Sequence, residues 1–110
     1  MDKVFTRRKY GNVSYKGFDS KREYQRFLQL QLLEKAGEIS DLKTQVDFEL
    51  LPKLTYKGKF AEHPVKYRAD FTYREHGELV VEDCKGFRTD VYRLKRKMML
   101  WKYGIRIRET

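Results

Sequence analysis

The sequence predicts one α/β domain, a mixed β-sheet flanked by α-helices, from three observations. The order of patterns is strand, helix, several strands, helix, strand, which suits a layered sandwich rather than a bundle or a barrel. Two stretches carry apolar residues near the 3.6 period, and the stretch between them alternates with period two. At 110 residues the chain supports a single core.

Residues 1–12 are polar and basic and read as an N-terminal arm, leaving 13–110 as the folded domain. Val13 to Phe18 reads as a short strand or hairpin bending at Lys16-Gly17. Ser20-Lys21-Arg22-Glu23 matches the capping box, in which the Ser side chain accepts from the N3 amide and the Glu reaches back. A helix follows with Tyr24, Phe27, Leu28, Leu32 and Leu33 as its stripe, and Gly37 ends it. Asp41 to Leu51 alternates through Val46, Phe48 and Leu50, and Pro52 closes it. Leu54 to Tyr56 and Lys59 to Ala61 form a hairpin around Lys57-Gly58. Val65 to Tyr73 and Glu78 to Lys85 form a second one around His76-Gly77. Thr89 caps a helix over Asp90 to Tyr103, with Val91, Leu94, Met98 and Trp101 on one face and Gly104 as its stop. Ile105 and Ile107 then alternate with Arg106 and Arg108 as an edge strand.

The second hairpin carries the chemistry. With His76-Gly77 as the loop, Glu75 pairs with Glu78, Thr72 with Val81, and Asp70 with Asp83. Lys85 then shares a face with both aspartates. Opposed like charges destabilise a sheet by a few tenths to about 1 kcal/mol, and a divalent cation between them removes that cost. Carboxylates holding a cation beside an ammonium suit phosphoryl chemistry: the cation polarises an oxygen and acidifies a water, and Lys85 orients that water or stabilises developing charge. The backbone carbonyl of Cys84 is a further candidate ligand, and its thiol reads as core filling. A solvated hairpin with a cross-strand salt bridge to Arg68 or Lys85 is the bland alternative.

Twenty-five Lys and Arg against 16 Asp and Glu leave a net charge of +9, the footprint of a polyanion partner. Basic residues cluster at Arg7, Arg8 and Lys9, at Lys21 and Arg22, and along Arg88, Arg93, Lys95, Arg96 and Lys97, and these are the expected DNA contacts. No helix shows an apolar face rich enough for membrane insertion. Forty per cent apolar content with eight Tyr and seven Phe argues for a folded chain. One Cys excludes an internal disulfide framework and, with no apolar leader or ~20-residue span, points to the cytoplasm. His63 and His76 lack the spacing of zinc ligands.

The run RADF followed by VVEDCKG resembles the PD-(D/E)xK nuclease superfamily, with Asp70 as the first acidic residue and Asp83-Cys84-Lys85 as the D-x-K. Ala69 stands where that motif carries proline. The order from FDSKREYQRF through YRADFTY and VVEDCKGF to the Lys-rich helix is similar to a family of small phage proteins of that superfamily. It also resembles TnsA-type nuclease domains and, more distantly, phage junction-resolving endonucleases.

The resemblance implies a restriction-endonuclease-like core and a Mg²⁺-dependent DNA endonuclease, with Mn²⁺ substituting. It implies in-line hydrolysis leaving a 5′-phosphate, in the bacterial host cell if the protein is phage-encoded. It brings Glu23 into the site beside Asp70 and Asp83, against the plainer reading of Glu23 as part of the capping box. It places Gln45 near the site as support. The most specific expectation is cleavage of branched DNA, as by a Holliday junction resolvase, by a homodimer that buries Leu30, Leu33, Met99, Leu100 and Tyr103. The competing readings are a non-catalytic nucleic-acid-binding protein and a cutting subunit of a transposition or packaging complex.

Overall fold

The computed structural model describes residues 16–110. The Arg7, Arg8 and Lys9 arm and the first part of the Val13 to Phe18 strand lie outside the described residues. Lys16 (φ 51°) and Gly17 (φ 90°) make the expected bend before the buried Phe18.

Eight elements follow: α1 (Lys21–Lys35), β1 (Ser40–Leu51), β2 (Leu54–Tyr56), β3 (Lys59–Glu62), β4 (Val65–Glu75), β5 (Glu78–Asp83), α2 (Asp90–Tyr103) and β6 (Arg108–Glu109). One sheet has the order β1-β4-β5-β6, and β2 with β3 forms a separate two-stranded ribbon. The large sheet is mixed: β1, β4 and β5 pair antiparallel, and β6 runs parallel to β5. β5 stops at Asp83, two residues before the expected Lys85, where β6 has taken over the edge.

The capping signals set the helix ends. The Ser20 side chain accepts from the Glu23 amide at 3.1 Å, and Thr89 accepts from the Tyr92 amide at 3.0 Å. Each such cap is worth about 0.5–2 kcal/mol. Gly104 closes α2 in the left-handed conformation at φ 68°. His76 (φ 53°) and Gly77 (φ 81°) give the β4–β5 hairpin both positive φ values of a type I′ turn, which fixes its register.

The helices lie on opposite faces of the sheet. Val81 packs with Tyr92 and Met99 of α2, whereas its neighbour Glu82 reaches Arg26 of α1. Adjacent strand residues point to opposite faces, so α1 and α2 cover different sides. Two clusters fill the sandwich. Leu50, Tyr67, Ala69, Val81 and Ile107 pack with α2, and Phe18, Ile39, Phe71 and Tyr73 pack with Leu30 of α1. Burial of a side chain such as Phe71, wholly enclosed here, contributes about 1.5–3 kcal/mol.

Each helix buries only part of the expected stripe, Tyr24 and Phe27 in α1 and Met98 in α2, and turns its most enclosed face elsewhere. In α1 the buried residues are Glu23 and Leu30, with Tyr24 and Phe27 half-buried, while Leu28, Leu32 and Leu33 are exposed. Glu23, Phe27, Leu30 and Glu34 form an i, i+4, i+7, i+11 row, and Glu34 accepts from the Leu42 amide at 3.0 Å. The apolar stripe alone hides this face because two of its members are glutamates with partners on β1. In α2, Tyr92 and Met99 are buried, while Val91, Leu94 and Trp101 are exposed. Tyr92 wins the inward position because its ring packs in the core and its hydroxyl donates to Glu109 at 2.7 Å. Leu30 and Met99 are therefore core residues and not dimer surface. Leu33, Leu100 and Tyr103 are exposed.

Candidate metal and nucleic-acid site

The paired end of the β4–β5 hairpin holds the candidate site. Register runs unbroken from Glu75↔Glu78 to Phe71↔Glu82, and Asp70 and Asp83 are the next residues outward on each strand. Asp83 is buried. Its Oδ2 accepts from the Tyr67 hydroxyl at 2.6 Å, and its Oδ1 lies 3.4 Å from Lys85 Nζ. Asp70 Oδ2 accepts from the Cys84 amide at 2.8 Å.

Glu23 completes the acidic group. Its carboxylate accepts from Gln45 Nε2 at 3.0 Å and from the Asp19 backbone amide. Glu23 thus keeps the Ser20 cap through its own amide while its side chain lies at the site. The cap and the site are compatible because they use different atoms.

Electrostatics bind these carboxylates together. Burial, then the charges of Asp83 and Glu23, push the Asp70 carboxyl well above the usual carboxylate range. A hydrogen bond to Asp83, which Asp70 donates when protonated, acts in the same direction. Burial, then Asp19 and Asp83, raise Glu23 to about 7. Among the described residues no three His, Cys, Asp or Glu side chains stand in the tight grouping of a ready-made metal cage. The donor set is all carboxylate oxygen and mutually repulsive, which fits a hard divalent cation such as Mg²⁺ better than a soft one. Asp70, Asp83 and Glu23 are the residues that could hold one.

The backbone beneath the site departs from regular pleating. Tyr67 and Ala69 pack in the cluster under α2, but Phe71 and Tyr73 pack in the cluster under α1. In a regular strand all four would point the same way, so β4 changes side at Asp70. Across the ladder, between Thr44↔Phe71 and Val46↔Ala69, Gln45 sits at φ 56°. A non-glycine residue in that region costs on the order of 1–3 kcal/mol, and such strain gathers at functional sites. Here it accompanies the bond from the Gln45 amide to Glu23.

Lys85 is held from two sides. Its Nζ lies 4.4 Å from the Tyr92 ring centroid as well as near Asp83. Thr110 clamps the strand end: its amide donates to the Asp83 carbonyl at 3.0 Å, and its carbonyl accepts from the Lys85 amide at 3.2 Å. Cys84 turns the other way, against the α1 cluster. Burial raises its thiol to about 11, so it is neutral core filling at pH 7. A cleft of about 260 Å³ opens over Asp83 and Lys85, walled by Tyr67, Arg68, Tyr92 and Lys95.

A model of the family described as a protein of unknown function, DUF1064, matches residues 6–108. The chain belongs to that DUF1064 family. No curated protein and no solved structure matches it. No described helix is long and apolar enough to cross a membrane.

The predicted basic residues of this DUF1064 chain separate into distinct groups. Lys95 borders the cleft. Arg88 and Arg96 both bond Glu109, at 2.7 and 2.8 Å, and that carboxylate is held down at about 2 by Arg88 first, then Tyr92 and Arg96. Arg93, Arg96 and Lys97 line a different groove with Arg106. Arg93 also pairs with Asp90 at 3.3 Å. Lys21 and Arg22 are exposed at the start of α1, and Arg22 donates to the Thr110 carbonyl at 2.7 Å. Only Lys95 of the α2 set is placed beside the carboxylates.

Sequence reasoning missed Tyr67 and Tyr92. Strict alternation puts Tyr67 on the face away from Asp70, and only the change of side at Asp70 brings its hydroxyl to Asp83. Tyr92 carried a weak signal, an aromatic one turn into a helix that follows D-x-K. It also missed the pair between Arg26 and the wholly buried Glu82, with N–O distances of 2.6 and 3.0 Å.

Proposed function

We propose that this chain is a Mg²⁺-dependent DNA endonuclease. The observation that carries the reading is half-buried Asp70 beside buried Asp83 at the end of the hairpin, within electrostatic reach of buried Glu23, with Lys85 fixed beside Asp83. A divalent cation held there supplies Lewis acidity toward a phosphoryl oxygen and a more acidic water. Tyr67 fixes the second oxygen of Asp83 and so orients the carboxylate. Lys85 presents its ammonium at the cleft, where it orients the attacking water or stabilises charge that develops on the phosphate. Lys95 flanks the cleft and supplies a cation to the phosphates beside the cut, whereas Arg68, on the other wall, is paired with Asp47 at 2.7 Å. The resemblance to the PD-(D/E)xK superfamily agrees with these roles.

The more specific version is cleavage of branched DNA by a homodimer. Paired cuts on strands related by two-fold symmetry match two copies of a single-site chain. Leu33, Leu100 and Tyr103 remain available for such an interface.

The test is a panel of duplex, single-stranded, flap and four-way-junction DNA with Mg²⁺, with Mn²⁺ and with EDTA. The expected outcome is metal-dependent cleavage, abolished in Asp70→Asn and Asp83→Asn while DNA binding persists. Binding without cleavage in either metal by the wild-type protein would instead favour a non-catalytic nucleic-acid-binding protein.

A further inference from the structure

The β2–β3 ribbon stands outside both cores. All of Leu54–Tyr56 and Lys59–Glu62 are exposed, and the two strands form a sheet of their own. Pro52 and Pro64, which are the chain's two prolines, bracket it. Lacking N–H groups and fixed in φ, they end the β1–β4 ladder at Leu51↔Val65 and stiffen both joints. Lys57 (φ 53°) and Gly58 (φ 80°) make a tight turn at the tip. An isolated two-stranded hairpin is marginally stable in water. This one nevertheless displays Tyr56 at 68% and Phe60 at 53% exposure.

Its chemistry narrows the partner. Tyr56 pairs across the ribbon with Lys59, and Phe60 with Thr55, so the two rings lie on opposite faces. Lys57 Nζ sits 5.3 Å from the Tyr56 ring centroid, and the Phe60 ring lies tilted at 4.8 Å from that of His63. Lys53, Lys57 and Lys59 face a single acid, Glu62, within residues 53–63. Aromatic platforms interleaved with lysines suit unpaired nucleotides, whose bases stack on the rings while phosphates meet the cations. A two-fold contact with a second copy would set this cationic patch against itself.

We infer that the β2–β3 ribbon is a binding arm for unpaired DNA, contacting the strand through Tyr56 and Phe60 at a distance from the carboxylates. Val65, where the ribbon joins β4, precedes Asp70 by about 17 Å of strand at ~3.3 Å per residue. The arm therefore grips the DNA several nucleotides away from Asp70. The inference rests on DNA being the partner, as proposed above, and not on cleavage.

The experiment measures binding of labelled oligothymidylate and of a duplex of equal length by fluorescence anisotropy in EDTA, using the whole chain. Tyr56→Ala should weaken single-strand binding by about tenfold, within the about 5- to 150-fold expected for a lost stacking platform. Duplex binding should change by less than about twofold, since paired bases offer no free face. Tyr56→Trp should bind like wild type. Tyr56→Leu, which keeps apolar bulk in the ribbon, should show the same loss as Tyr56→Ala and so separates stacking from folding. Wild-type single-strand affinity in Tyr56→Leu and Phe60→Leu would overturn the inference. So would equal losses on duplex and single strand, or sedimentation showing that the tyrosine change converts a dimer to a monomer. Normal cleavage with unaltered ribbon-variant binding sinks the arm alone, and tyrosine-dependent binding without metal-dependent cleavage sinks the nuclease reading alone.

Discussion

Glu82 and Asp83 are neighbours on β5, both buried, and they sit in opposite electrostatic worlds. Glu82 points toward α1, where Arg26 grips both its oxygens and Tyr73 and Thr110 donate at 2.7 and 3.1 Å. Burial alone would raise its pKa, but the bonds from Arg26 and Tyr73 outweigh burial and hold it below the ordinary value. Asp83 points to the other face, bonded to Tyr67 and beside Asp70, and with Glu23, which approaches from α1, these acids outnumber the cation near them. Of these carboxylates Lys85 pairs with Asp83, and Asp70 and Glu23 are pushed upward. The difference teaches how to read a buried acid. A carboxylate supplied with every donor it needs is part of the scaffold, whereas several that lack cations form the group we propose takes a divalent one. One residue step along a strand separates the two.

The sharpest way to break that contrast is at Lys85. Lys85→Ala should lower cleavage on the order of 10²–10³-fold, the scale of losing one preorganised charge stabiliser, with little change in melting temperature. Single-turnover kinetics on a junction substrate at saturating Mg²⁺ would check it, and wild-type rates would remove Lys85 from the chemistry. Arg26→Ala should do the reverse. It leaves Glu82 buried without its cation and should cost roughly 2–3 kcal/mol, less than the 3–5 of a wholly enclosed pair because Arg26 keeps some exposure. Chemical denaturation reads that loss, and metal affinity at the Asp83 face should not change.

These two outcomes also mark what the sequence made legible. Ser20, Thr89, His76-Gly77 and Lys57-Gly58 are local signals, and local chemistry fixed the ends they announced. Register from the turn placed Asp70 beside Asp83 without any knowledge of the third dimension. What stayed hidden depends on long-range choices. The row Glu23, Phe27, Leu30, Glu34 looks too polar to be the inner face of a helix until β1 supplies Gln45 and the Leu42 amide. Tyr67 looks misdirected until β4 changes side at Asp70. Glu82 reads as one more charge until Arg26, distant in sequence, reaches it.

Two smaller effects sharpen the comparison further. Glu23 has a folded-state pKa of about 7 against an ordinary 4.5, so its folded form keeps a proton that the unfolded chain releases. Its contribution is fully present below pH 4.5 and is lost as pH rises through 7, and Asp70 acts in the same direction. Metal-free protein should therefore lose stability from about pH 4.5 to 7 in calorimetry, and Glu23→Gln should flatten that slope. An unchanged slope would mean that burial and its acidic neighbours do not hold a proton on Glu23 in the folded protein. The smallest effect belongs to the surface. Lys95→Ala should reduce the magnitude of the log–log salt slope of duplex binding by about one. Arg88→Ala and Arg96→Ala should change it less, since their charge is spent on Glu109. Equal changes for all three variants would mean that pairing with Glu109 does not decide which cations reach DNA.

The central claim is that the Asp83 face takes a divalent cation. Isothermal titration of Mn²⁺ into the protein, without nucleic acid, tests it most directly. Wild-type protein should bind, Asp70→Asn and Asp83→Asn should each lose affinity by at least about tenfold, and Arg26→Ala should bind as wild type does. Equal binding by the wild-type protein and both Asn variants, or no binding by any of them, would contradict the account.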